Sequence, residues 1–181
     1  MNTCAWEGCN APTSGKSKYC KEHKALARQA WVAMIAEGEE DRKALHADFE
    51  ALVRKAMQAG SEALQMATPT PMLVVEHRNP LDDNSPVAQS WPVMEGACGF
   101  AWIKIGPATT KFSRWLMKNA DHLGLRVGNA YYGGLQISVR GGGQSIERKE
   151  AYANAFADVL KAGLKSLDPK TTRIYADSRL D

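Results

Sequence analysis

Cys4, Cys9, Cys20 and His23 fall within the first two dozen residues, and no other feature limits the fold of this chain as tightly. Four residues separate Cys4 from Cys9, ten separate Cys9 from Cys20, and two separate Cys20 from His23. A close pair of donors, a loop and a second close pair let a short peptide surround one tetrahedral ion without a hydrophobic core. Thiolate and imidazole donors suit zinc. The segment between the pairs, Asn10, Ala11, Pro12, Thr13, Ser14, Gly15 and Lys16, is rich in turn formers, and Gly8 can supply the positive φ that a metal-binding knuckle requires. Cys20 and His23, three apart at the start of a helical pattern, share one helix face. A disulfide framework would leave an odd thiol, and the N-terminal residues do not read as a secretion signal. Cys98 lies in an apolar strand and reads as a buried small hydrophobe.

With four protein ligands the expected zinc site leaves no position for an activated water, so its role is structural. Apparent binding energies of about 10–16 kcal/mol in comparable peptides make metal and fold inseparable in so short a segment. Thiols committed to zinc fit a reducing compartment, and the expected location is cytoplasmic. No apolar run approaches the roughly 20 residues that cross a bilayer, so no membrane partner is expected.

The net charge of +3 is unevenly distributed. Lys16, Lys18, Lys21, Lys24 and Arg28 give residues 1–30 a positive balance, residues 31–67 are acidic, and residues 68–181 are mildly basic. Lysines around a small metal module can neutralise phosphates, which makes Lys16, Lys18, Lys21 and Lys24 candidate nucleic-acid contacts; the alternative is that they keep a tiny domain soluble.

Residues 21–67 read as helix, being rich in Ala, Glu, Lys, Arg, Leu and Met and free of proline. Leu45, Phe49, Leu52, Ala56, Ala59 and Ala63 recur at intervals of three and four, forming an apolar seam. A single helix would be about 70 Å long, too long for one small domain to cover. Three solutions remain open: a hairpin broken at Gly38, self-association through residues 40–67 as a coiled coil and homo-oligomer, or packing on the C-terminal domain. Trp31, Met34 and Ile35 form a second apolar cluster, read as packing.

Thr68, Pro69, Thr70 and Pro71 end the helix and mark a domain boundary. Residues 72–75 read as a strand that adds an edge to the following sheet, and residues 77–92 as a polar loop. Beyond residue 96 the expected order is strand (98–105), helix (107–123), strands (125–130 and 135–140), helix (145–164) and strand (172–176). The whole is an α+β chain: a zinc knuckle (1–24), a long helix or helical hairpin (25–67), a linker with an edge strand (68–95), and a ferredoxin-like two-layer sandwich (96–181).

Enzymatic signals are few. Arg140, Gly142, Gly143, Ser145 and Arg148 surround the start of the second C-terminal helix and can bind an anion, but the segment lacks the Gly-Lys-Ser/Thr ending of a phosphate loop. The plainer reading is a hairpin exit with Ser145 as N-cap. Nothing in the sequence joins His77 to Cys98 as base and nucleophile. Phe100 and Trp102 share a strand face, which raises single-strand binding, but the neighbouring strand offers no aromatic and core packing explains the pair better. Residues 177–181 read as a solvated tail.

Two resemblances follow. Residues 4–23, with Glu7-Gly8-Cys9-Asn10 and Tyr19-Cys20-Lys21-Glu22-His23, resemble zinc knuckles of phage and bacterial DNA-associated proteins, including some that precede HNH nuclease domains; the HNH part is missing. Cys98-Gly99-Phe100-Ala101-Trp102, Tyr132-Gly133-Gly134, Gln144-Ser145 and Ser178-Arg179-Leu180-Asp181 are similar to a set of small tailed-bacteriophage proteins, which implies a viral origin without supplying an activity. The expected function is a non-enzymatic phage accessory protein that binds nucleic acid, with host or phage protein as the alternative partner. A small hydrolase or nucleotide-binding protein using the glycine run is a third reading.

Overall fold

The computed structural model describes residues 2–181. Its order is α1 (Lys21–Met66), β1 (Met72–His77), β2 (Val87–Val93), β3 (Gly99–Gly106), α2 (Lys111–Asn119), β4 (Arg126–Asn129), β5 (Leu135–Ser138), α3 (Ile146–Leu167) and β6 (Arg173–Leu180). Two compact units divide it, Met1–Ala47 and Asp48–Asp181.

α1 is one uninterrupted helix, so the hairpin solution is not the one adopted. A lone glycine costs a helix only about 1 kcal/mol, and the good helix formers on both sides of Gly38 outweigh it. In the second unit the apolar seam is occupied internally. Phe49, Val53, Ala56 and Gly60 are buried. Phe49 meets Phe112 edge-on at 5.2 Å and Trp115 at 5.6 Å between ring centroids. Gly60 and Gly163 permit close approach: a Cβ on either would strike Tyr152 or Leu52. The compact units therefore part inside α1, ahead of the Thr-Pro segment where the sequence suggests a boundary. Trp31, Met34 and Ile35, expected to pack, are exposed instead.

β1 does not extend the main sheet. It pairs antiparallel with β2 as a separate hairpin, Met72 opposite Val93, and so turns much of the expected polar loop into strand. Pro92 lies in β2, where a two-stranded ribbon offers edge positions that tolerate a missing amide.

The four-stranded sheet has the order β4-β5-β3-β6, every neighbour antiparallel. Thr110 caps α2, accepting from the amide of Ser113 at 3.2 Å, and Ser145 caps α3 as expected. Buried Asp168 accepts from the amide of Phe112 at 2.8 Å, tying the end of α3 to the start of α2. Ala101, Ile103 and Ile105 of β3, Leu135 and Ile137 of β5 and Ile174 of β6 are buried with the apolar residues of α2 and α3. Phe100 and Trp102 belong to the opposite parity. They point away from the helices, with Phe100 42% exposed, so the expectation that they pack in the core is corrected. The physical reason is the strict period of two: once Ala101, Ile103 and Ile105 face the helices, Phe100 and Trp102 cannot. β6 also runs on to Leu180, pairing Gly99 with Leu180, so most of the expected solvated tail is strand.

Truncating Phe49→Ala is expected to cost about 3–5 kcal/mol of unfolding free energy in urea melts, the usual range for a buried phenylalanine, while exposed Trp31→Ala shifts the midpoint little. Gly134→Ala is a second sensitive site, because its positive φ (89°) is joined by a clash between the new Cβ and the Ile105 carbonyl.

Candidate metal centre

In the first unit the chain before α1 folds back on itself. The amide of Cys4 donates to Ala11 O at 3.0 Å, that of Ala5 to Lys18 O at 2.8 Å, and that of Cys9 to Trp6 O at 3.0 Å. Gly8 takes φ 79° in the turn ahead of Cys9, as the knuckle reading requires. The helix contributes the remaining geometry. Cys20 precedes α1, its carbonyl accepts from Lys24 at 3.0 Å, and His23 stands in the first turn.

These elements bring Cys4, Cys9, Cys20 and His23 together with one ligand atom from each within 4.8 Å of all the others. Nδ1 of His23 is 3.6 Å from Cys4 Sγ and 3.3 Å from Cys20 Sγ. The amide of Cys20 donates to Cys4 Sγ at 3.3 Å. Cys4 and Cys20 are buried, Cys9 and His23 half-buried. Three sulfurs and one imidazole at these separations fit a metal ion, and every position of a tetrahedral shell has a protein donor.

The electrostatics favour a cation. Burial pushes the Cys4 thiol up, yet the backbone hydrogen bonds of Cys20 and Trp6 and the side-chain hydrogen bonds of His23 and Cys20 outweigh it and bring the pKa down to about 6. For Cys9 a backbone hydrogen bond with Ala11 lowers the pKa, but desolvation and the neighbouring Cys4 and Cys20 sulfurs overcome it, and the thiol lies above its ordinary value. Crowded thiols cannot all ionise without a compensating charge, and a divalent ion supplies that charge.

One contributor went unassigned in the sequence. Trp6 stacks on the His23 ring, centroids 5.0 Å apart and planes within 4°, and so holds the imidazole with Nδ1 toward the sulfurs. An aromatic between the first two cysteines was the available signal. Lys16, Lys18, Lys21 and Lys24 are all exposed, and none makes an ion pair among the described residues.

The other expected sites come apart. Gly142, Gly143 and Arg148 line one cavity and Arg140 another, while the Ser145 hydroxyl is fully buried as the α3 cap. Glu95 Oε2 lies 3.8 Å from Arg148 Nε, a buried nitrogen with no hydrogen-bond partner among the described residues. His77 Nδ1 bonds the Ser85 carbonyl at 2.6 Å, within the β1–β2 hairpin. No helix among the described residues is long and apolar enough to cross a membrane. No family model matches the chain, and neither a curated protein nor a solved structure matches it.

Native mass spectrometry is expected to find one metal ion per chain, lost in Cys20→Ser. Uptake at neutral pH should release protons, that of Cys9 with its raised pKa among them, and tighten as pH rises, because protons compete for the same sulfurs.

Proposed function

We propose that residues 1–24 form a zinc knuckle whose metal is structural, and that the protein is a non-enzymatic nucleic-acid-binding accessory protein of a bacteriophage, working in the host cytoplasm. The observation that carries the metal assignment is the four-ligand cluster, three thiols and an imidazole with no vertex left for water. Bound zinc would cross-link the loop to the first turn of α1. Nucleic acid is favoured as partner because Lys16, Lys18, Lys21 and Lys24 are exposed and free of ion pairs among the described residues, so their charge is available to phosphates. The resemblance of residues 4–23 to knuckles of phage and bacterial DNA-associated proteins points the same way. For the second unit, the order β4-β5-β3-β6 with antiparallel neighbours and helices after β3 and β5 supports a ferredoxin-like two-layer sandwich.

A second reading is assembly through a protein interface. Its support is the helix face of Trp31, Met34 and Ile35, which are 59%, 61% and 39% exposed at spacings of three and four. Residues 49–60 no longer favour it, since their apolar face is already covered within the second unit.

Mobility shifts and anisotropy titrations of the zinc-loaded protein with duplex DNA across a salt series test the first reading. Reversing Lys16, Lys18 and Lys21 to glutamate is expected to lower the log–log salt slope by about 2–3 if each lysine neutralises one phosphate. An unchanged slope overturns the phosphate role of these lysines. Sedimentation that finds a salt-insensitive oligomer, dispersed by Trp31→Glu, would favour the second reading.

A further inference from the structure

In an antiparallel sheet covered by helices on one side, the other side ordinarily carries polar residues. Here it carries aromatic ones. β3 presents Phe100, Trp102 and Lys104 to the uncovered side, and the register sets Arg179 opposite Phe100, Asp177 opposite Trp102 and Tyr175 opposite Lys104. Residues opposite one another in antiparallel strands share a face, so these six side chains form one surface. Phe100 and Tyr175 are 42% and 54% exposed. The Phe100 and Trp102 rings lie side by side, centroids 6.2 Å apart and planes within 24°.

Cations accompany each ring. Lys104 Nζ is 5.3 Å from the centre of the Trp102 ring, and the Arg179 guanidinium is 5.9 Å from that of Phe100. Arg173 lies across Gly106 at the end of the strand, where a Cβ would stand 2.9 Å from its guanidinium. Tyr131 and Tyr132, about nine-tenths exposed in the β4–β5 turn, border the same end of the face and help line a pocket with Lys104, Arg173 and Tyr175. Lys104, Arg173 and Arg179 stand against the single carboxylate of Asp177, which holds Lys104 at 3.5 Å.

We propose that this open sheet face binds single-stranded nucleic acid, stacking bases on Phe100, Trp102 and Tyr175 while Lys104, Arg173 and Arg179 neutralise phosphates. The chemistry selects that occupant. A polyanion satisfies the cations, and only a strand with unpaired bases also offers flat π-faces to the rings. A duplex keeps its bases stacked inside and leaves the rings unused. An acidic peptide answers the charge but leaves the aromatic positions without a counterpart. The sheet face and the lysines at the N-terminus belong to different units of the chain, so either can fail alone.

Fluorescence anisotropy of labelled oligothymidylate and oligouridylate against the full zinc-loaded chain tests it, with duplex DNA as comparison. Single strands are expected to bind more tightly than duplex. Phe100→Ala and Trp102→Ala should each weaken single-strand binding about tenfold, within the range for loss of one base–aromatic stack. Phe100→Leu, which keeps an apolar side chain in the folded sheet, should weaken it as well, whereas Phe100→Tyr should not. Replacing Lys104 and Arg179 by glutamine should lower the salt slope by about 0.7 for each lost contact. The lysine-reversed knuckle should retain binding at the sheet.

Circular dichroism and thermal melts of each variant establish that it is folded. Any of the following overturns the proposal: no single-strand binding by the folded protein, equal affinity for duplex and single strands that is unaffected by the aromatic variants, or single-strand binding abolished only by the knuckle lysines. The last would leave the knuckle as the nucleic-acid surface. A folded Phe100→Leu variant with unchanged single-strand affinity would likewise remove the stacking role.

Discussion

β3 is the strand on which the second unit depends. It is paired on both sides, with β5 through Ile103 opposite Ile137 and with β6 through Ile103 opposite Ala176. That double pairing fixes its faces. Ala101, Ile103 and Ile105 supply the floor on which α2 and α3 pack, and the intervening Phe100, Trp102 and Lys104 are turned to the uncovered side. A slip of one residue would exchange the two sets and place a lysine in the core, so burial and the open face are held by one register. Part of α1 joins this arrangement through Phe49, whose ring sits against Phe112 and Trp115 of α2.

The first unit is organised differently. Among its described residues before the helix, Cys4 and Cys20 are the buried ones, and its loop is held by a handful of backbone hydrogen bonds. So few apolar contacts cannot offset the entropy of ordering two dozen residues, which is why a metal cross-link suits this segment. Trp6 adds packing where the donor set needs it, against the imidazole that completes the cluster. The same segment exposes Lys16, Lys18, Lys21 and Lys24, so residues outside the four-donor cluster give it its positive charge.

Much of this was legible in the residues. The spacing of Cys4, Cys9, Cys20 and His23 gave the cluster because two local turns and one helical turn bring the ligands together with little help from distant parts of the chain. The α2 and α3 helices, the hairpin of β4 and β5 and the Ser145 cap were likewise local patterns. Strand partnership was not. Residues 72–75 read as a strand, but whether it joins the main sheet or pairs with residues 87–93 depends on a neighbour that itself reads as loop because of Pro92 and its polar flanks. The C-terminal end of β6 was missed for a related reason: residues 177–179 are polar, and with Leu180 they become strand only because β3 offers a ladder along their whole length.

The sequence by itself therefore determined the donor set, the helical segments and the two-residue alternation of β3, all of which follow from contacts between residues near one another in the chain. Only the tertiary structure decided which face of β3 the helices would cover, and with it that exposed Phe100 and Tyr175 and half-buried Trp102 stand on the open face with Lys104, Arg173 and Arg179. Alternation defines two faces but does not say which is the core. That choice is made collectively, by Ile137 and Ile174 on the neighbouring strands and by Phe112, Leu116, Phe156 and Leu160 on the helices, because burying those apolar side chains together releases the most water-exposed surface.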